Sequence, residues 1–131
     1  MKKIIFVCVH NSGRSQMAEA FAKRLGAGKV EALSAGTQPA DRLNPVVVEA
    51  MQEIGYDVSC HYPKLLTLEM VNSADRIITM GCGVDAETCP ASFLPTEDWG
   101  LEDPSGQPLE KVREIRDEIK ARVQKLISEI A

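Results

Sequence analysis

The chain lacks any apolar stretch long enough to cross a membrane. Its run from Ile4 to Val9 is six residues, against the roughly 20 that a spanning helix needs. It also lacks an excess of positive charge. With 15 basic and 19 acidic residues the net charge is −4, so there is no electrostatic footprint for a nucleic acid or an anionic membrane. A local site can still take an anion against that mild balance. Internal repeats, low-complexity tracts and linkers are absent too. Cysteine is sparse: Cys8, Cys60, Cys82 and Cys89. No two of these have the short Cys-x2-4-Cys spacing common at structural zinc sites. The opening "MKKIIFVCVHN" imitates a signal peptide, but no small-residue cleavage site follows, and it reads as a first strand. A cytoplasmic location is expected, where static disulfides are unusual.

What is present fits one globular domain over residues 1–131. The chain is 44% hydrophobic and 26% charged, ordinary usage for a domain that buries a core without staples. Strand-like and helix-like segments alternate. Residues 3–8 form a continuous apolar run, as in a strand buried on both faces. Residues 15–25 carry Met17, Phe21 and Leu25 on one helical stripe, ended by Gly26 and Gly28. A second strand is expected over 30–34. Asn44 and Pro45 look like an N-cap and first helical residue for a helix over 45–54. A short helix over 68–73, a strand over 75–80 and a short fourth strand near 93–94 follow. The last helix, 109–130, has the stripe Val112, Ile115, Ile119, Val123, Leu126 and Ile130. The alternation predicts an α/β fold with a parallel sheet. In such sheets ligands bind at the C-terminal ends of the strands. Cys8 and Met80, the latter just before Cys82, both end strands and so should share that edge.

The chemistry concentrates in "CVHNSGRS", residues 8–15. A cysteine ends a buried strand, the seven residues from Cys8 to Arg14 are loop-like in composition, and a helix starts at once. A free thiol is mostly protonated at neutral pH, and a helix N-terminus and a guanidinium both favour its thiolate. The amides from Val9 to Arg14 can form an anion nest. Arg14 can grip two oxyanion oxygens at once, which lysine does less well. Gly13 is free of the limits a side chain sets on the backbone. Asn11 and Ser12 can brace the loop through side-chain hydrogen bonds. The bland alternative is a buried strand-end cysteine and a surface arginine, and the strand–loop–helix context favours the functional one.

This stretch resembles the Cys-x5-Arg-Ser loop of low-molecular-weight protein tyrosine phosphatases. With "SQMAEAFAK" it resembles still more the arsenate reductases built on the same fold. The likeness extends to "LSAG", "EDWGLEDP" and "VREIRDEI". It implies a three-layer α/β/α domain with a central four-stranded parallel sheet. It also implies an oxyanion cradle of Val9, His10, Asn11, Ser12, Gly13, Arg14 and Ser15, a Cys8 nucleophile, and Asp103 of Asp103-Pro104 as general acid. Physically, a carboxylic acid on a loop beside the thiolate can protonate a leaving oxygen. Read without the resemblance, Asp103 could equally cap a turn, and Glu102 and Asp98 are neighbouring carboxylates. Ser105 and Gly106 stand where the phosphatases carry tyrosines.

"MGCGVDAETCP" resembles the redox segment of the thioredoxin-coupled arsenate reductases. Seven residues of helix span about 10.5 Å, whereas disulfide Cα atoms must approach within about 7 Å. A helical segment would have to unwind for Cys82 and Cys89 to bond. Read alone, the two remain ordinary buried cysteines, an adventitious pair, or metal ligands with Cys60 and His61. Cys60 is expected to be non-catalytic. The resemblance implies a relay. Cys8 attacks arsenate, Cys82 attacks Cys8 as arsenite leaves, Cys89 attacks Cys82, and reduced thioredoxin reopens Cys82–Cys89. Phosphate and sulfate would mimic the substrate, and no organic cofactor is implied. Some members bind potassium near the loop. Asn11, Glu19 and Ser34 match that pattern, while Lys64 stands near the position of the family's carboxylate ligand. Gly13 departs from the cysteine many relatives have. Some relatives place their cysteines differently and couple to glutaredoxin, and the spacing here favours thioredoxin. The other readings are a low-molecular-weight phosphatase, needing only Cys8, Arg14 and Asp103, and a non-enzymatic thiol or metalloid sensor. A monomer is expected.

Overall fold

A computed structural model describes residues 2–80 and 96–130. The strands are β1 (Lys2–Cys8), β2 (Val30–Gly36), β3 (Arg76–Thr79) and β4 (Thr96–Asp98). They form one parallel sheet in the order β2-β1-β3-β4. The helices are α1 (Arg14–Leu25), α2 (Pro45–Gln52), α3 (Leu68–Ser73) and α4 (Leu109–Ile130).

Alternation along β1 divides the core. Ile4, Phe6 and Cys8 face the larger cluster, with Met17 and Phe21 of α1, Val47 and Met51 of α2, and Val112 and Ile119 of α4. Ile5 and Val7 face a smaller cluster with Leu66, Val71 of α3 and Ile77. Phe6 and Phe21 are wholly buried, and burying a side chain of this size stabilises by about 1.5–3 kcal/mol. The expected stripe of α4 is buried from Val112 to Leu126, and Ile130 packs partly buried against it.

Boundaries move by one or two residues from those expected, the usual uncertainty of element ends. β2 runs on to Gly36 because Gly36 pairs with Cys8 and bridges to Leu65. α2 stops at Gln52, while its start is as expected: Asn44 Oδ1 accepts from Val46 N at 2.9 Å, with Pro45 first in the helix. The strand expected at 93–94 lies outside the described residues, and the strand described is β4 at Thr96–Asp98. It pairs with β3 through its backbone, and its sequence, Thr-Glu-Asp, has no apolar run to announce it.

Candidate active site

β1 delivers Cys8 to the C-terminal edge of the sheet, and the chain then wraps the loop 9–13 before entering α1. The loop's carbonyls point outward. Those of Cys8, Val9 and His10 accept hydrogen bonds from Thr37, Gln38 and Ala40 amides, and that of Ser12 from Asn44 N. The Gly13 carbonyl accepts from Met17 N in the first turn of α1. A trans peptide sets its N–H opposite its C=O. The amides of Val9, His10, Asn11, Gly13 and Arg14 therefore face away from those partners, into the loop. Asn11 takes a φ of 50°, a left-handed conformation that asparagine tolerates. Its N–H donates to Cys8 Sγ at 3.2 Å. No side chain caps α1, so its first-turn amides are not consumed by one.

Around the sulfur the side chains are fixed by elimination. Lys64 N can only donate, and it lies 2.8 Å from Asn11 Oδ1. The other Asn11 atom is thus the amide nitrogen, which donates to Ser15 Oγ at 2.7 Å. Ser15 Oγ lies 2.9 Å from Cys8 Sγ; either can donate while Cys8 is a thiol, and the hydroxyl is the donor once Cys8 is a thiolate, which has no hydrogen to give. Gln16 Nε2 donates to Asn11 Oδ1 and to Tyr62 O, both at 3.0 Å. The segment 62–65 is therefore strapped behind the loop, and Gly36 N completes the strap on Lys64 O at 2.8 Å.

Arg14 is 6% exposed. Its Nη1 donates to Leu101 O at 3.0 Å and Met80 O at 3.3 Å. These two carbonyls, just past the ends of β3 and β4, orient the guanidinium, while Nε and Nη2 make no hydrogen bond among the described residues. A small pocket is lined by Cys8, His10, Ser12, Gly13 and Arg14 together with Asn44, Asp103, Pro104 and Ser105. Asp103 also holds a turn, since its Oδ1 accepts from Ser105 N at 2.9 Å. Glu102 is paired with Lys111 at 3.1 Å and does not line the pocket. Cys60 is exposed and is not among the lining residues. Cys82 and Cys89, and with them the relay, lie outside the described residues. Another groove, bounded by Glu97, Trp99, Arg122 and Lys125, contains no cysteine.

Behind the loop, Glu19 is 3% exposed. Lys23 Nζ approaches its Oε2 at 2.6 Å, Lys64 Nζ its Oε1 at 3.6 Å, and Ser34 Oγ donates to Oε1. Burial pushes the Glu19 carboxyl up, but the hydrogen bonds from Lys23 and Ser34 and the charges of Lys64 and Lys23 outweigh it, leaving the pKa lowered from 4.5. Asn11, Glu19 and Ser34 as arranged do not fit a potassium ion. Asn11 Oδ1 already accepts two donors, and two ammonium groups meet the carboxylate.

Several positioning residues were not read from the sequence: Gln16, the Tyr62 carbonyl, Gly36 and the amides of 37–44. Only Gly36 carried a signal, as the glycine of "LSAG". A Cβ there would lie 2.6 Å from Val9 O and 3.0 Å from Asn11 N.

A family model described as low molecular weight phosphotyrosine protein phosphatase matches residues 3–131. A putative arsenate reductase of Halobacterium salinarum is 45% identical over 135 residues, covering 97% of this chain and 92% of the relative. A glutaredoxin arsenate reductase of Synechocystis is 42% identical over 132 residues, the whole of both chains. A solved arsenate reductase in the phosphate binding state superposes with a TM-score of 0.89 at 42% identity over 100% of both chains. A thioredoxin-dependent arsenate reductase of Corynebacterium glutamicum gives 0.83 at 38% identity, over 99% of this chain and 62% of that one.

Proposed function

This chain belongs to the low molecular weight phosphotyrosine protein phosphatase family, and we propose that within it the protein reduces arsenate to arsenite. The observation that carries the reading is the convergence of Cys8, Arg14 and Asp103 on one pocket, with Asn11 N and Ser15 Oγ on the sulfur. Curated relatives at 42–45% identity are arsenate reductases by name.

In this reading the loop amides and Arg14 hold the arsenate. The Cys8 thiolate attacks arsenic, a sulfur–arsenic bond forms, and Asp103 gives its proton to the departing oxygen. Cys82 then attacks Cys8 Sγ. The new disulfide takes the place of the sulfur–arsenic bond, whose electron pair stays on arsenic, and arsenite leaves two electrons richer. Cys82 follows Met80 by two residues, and the Met80 carbonyl accepts from Arg14, which supports its assignment to this edge. Cys89 attacks Cys82, releasing the Cys8 thiolate, and a dithiol reductant reopens Cys82–Cys89. Each exchange depends on thiolate fraction, leaving group and access. The Cys-x6-Cys spacing favours thioredoxin as that reductant. The Lys64 ammonium takes the part that a potassium ion plays in some relatives. The reading assigns one domain over residues 1–131, acting in the cytoplasm as a monomer, with no organic cofactor and no nucleic-acid partner. Among the described residues no helix is long and apolar enough to cross a membrane.

The test is arsenite production and NADPH oxidation with thioredoxin and its reductase, repeated with glutaredoxin and glutathione, beside p-nitrophenyl phosphate hydrolysis. Cys82→Ser should stop turnover while Cys8 still reacts once, and sustained turnover by that variant would sink the relay. The second reading is a phosphatase. The pocket has the residues it needs, and weak phosphatase activity fits the shared shape and charge of phosphate and arsenate. Phosphate ester hydrolysis without arsenite production would favour it.

A further inference from the structure

On the reading of Cys8 as the nucleophile, we propose that Gln16 does more than brace the loop: it keeps the Ser15 hydroxyl turned to the sulfur, and it speeds Cys8 at a cost in stability. Gln16 is wholly buried in the first turn of α1. Its Nε2 has two hydrogens and both are used, one on Asn11 Oδ1 and one on Tyr62 O, each at 3.0 Å. Both partners can only accept, since the donor Lys64 N identifies the Asn11 atom as oxygen. The Gln16 amide therefore cannot be turned over. Its Oε1 is left buried with no hydrogen-bond partner among the described residues. A buried acceptor without a donor has lost its hydration and gained nothing for it. A methionine, of similar length and shape, has no such atom.

The contacts of Nε2 lead to the sulfur. Gln16 and Lys64 N together hold Asn11 Oδ1. Lys64 belongs to the strap that Gln16 also grips through Tyr62 O, so losing Gln16 loosens both holds on Asn11. With Oδ1 held, Asn11 Nδ2 donates to Ser15 Oγ at 2.7 Å, and the Ser15 hydroxyl has Cys8 Sγ at 2.9 Å. A serine at a helix start otherwise turns its hydroxyl to a carbonyl of the preceding turn. Once Cys8 is a thiolate, every link from Gln16 donates toward the sulfur, and the bonds of such a chain polarise one another. Arg14, Asp103 and His10 line the Cys8 pocket, and Glu19 lies behind the loop with Lys23 and Lys64. A methionine at position 16 alters none of these charges. It also orphans no acceptor: Asn11 Oδ1 keeps Lys64 N at 2.8 Å, and Tyr62 O keeps Lys64 Nζ at 3.5 Å. The fold is therefore held while the thiolate loses support.

The experiment is a pH profile of Cys8 alkylation by iodoacetamide in the reduced full chain, read on the Cys8 peptide by mass spectrometry. Gln16→Met should slow alkylation at neutral pH about 3-fold, less than Ser15→Ala does, because the hydroxyl is still present. At high pH, where the thiolate forms without help, the two rates should agree within about 2-fold. In a Ser15→Ala background the same substitution should change the neutral rate by less than about 1.5-fold, because the chain to the sulfur is already cut. The urea midpoint of Gln16→Met should equal or exceed that of the wild type. In the wild type itself, the side-chain amide hydrogens of Gln16 should exchange with solvent far more slowly than those of the exposed Gln124. An unchanged neutral rate, an equal slowing at high pH, an undiminished loss in the Ser15→Ala background, a lowered midpoint or fast exchange at Gln16 would each overturn the inference. Alkylation needs no arsenate, so a wild type that turns over none would overturn the functional reading and leave this test standing.

Discussion

Ser15 Oγ lies 2.9 Å from Cys8 Sγ while accepting the Asn11 side-chain amide at 2.7 Å, so its hydroxyl is placed to donate to the sulfur when Cys8 is a thiolate, which has no hydrogen to give. A hydrogen bond to a charged partner contributes about 1.5–3 kcal/mol. Ser15→Ala should therefore slow alkylation of Cys8 by iodoacetamide at neutral pH by roughly 10-fold or more. An alkylation rate equal to the wild type's would mean that Asn11 N–H and the helix terminus suffice.

Arg14 serves three masters. Its Nη1 holds the Met80 and Leu101 carbonyls, and its remaining edge is left for the oxyanion. A lysine offers three donors at one point and cannot span that arrangement. Arg14→Lys should weaken phosphate binding by about 10- to 100-fold, equivalent to about 1.5–3 kcal/mol for the lost charged hydrogen bond. Calorimetric titration with inorganic phosphate measures it, and a loss below about 3-fold would contradict the bidentate role.

The sequence exposes residue types and periods, and those parts of the molecule were readable. The α4 stripe repeats at helical spacing, and the Asn44-Pro45 start of α2 is a local signal. Cys8 and Arg14 announce themselves by chemistry. The site's supports do not. Lys64 N meets Asn11 Oδ1 across 53 positions of chain, and Arg14 meets Leu101 O across 87. Such pairs exist only because the parallel register brings strand ends together. β4, Thr96–Asp98, carries no such signal for a related reason, since its pairing with β3 is made by backbone groups that every residue has.

Gly36 is where β2 passes closest to the oxyanion loop. A methyl group there would collide with Val9 O at 2.6 Å, an atom that already accepts from Gln38 N at 2.8 Å. Gly36→Ala should destabilise the fold by about 1–3 kcal/mol, as overpacking does, and should weaken phosphate binding along with it. Urea unfolding and calorimetry read the two effects, and an unchanged midpoint would show that β2 can give way.

The pKa of Glu19 is lowered from 4.5 in the folded chain. A depressed folded pKa means that the ionised group stabilises above the unfolded value, and that this stability is lost as pH falls through the folded one. Thermal midpoints of the wild type should therefore begin to fall below about pH 4.5 from this group. Glu19→Gln should lose that part of the slope and should be less stable at neutral pH, because Lys23 and Lys64 then face no carboxylate. An identical pH profile in the two proteins would remove Glu19 from the account.

Lys64 Nζ stands 3.6 Å from Glu19 Oε1, and Lys23 approaches the other carboxylate oxygen at 2.6 Å. The buried negative charge is thus met from within the chain, and an added cation would be repelled by two ammonium groups. Wild-type activity and thermal midpoint should not distinguish potassium from sodium at equal ionic strength. Lys64→Asp reverses the balance: one ammonium is lost, and a second carboxylate joins Glu19 near the Ser34 hydroxyl. That variant should be less stable in sodium and should recover in potassium. Each kcal/mol of binding stabilisation shows as about 4 °C in a chain of this size. A potassium response already present in the wild type would show that the ammonium does not fill the cation's place. A Lys64→Asp variant indifferent to both ions would show that these oxygens cannot gather around a cation even when the charge permits it.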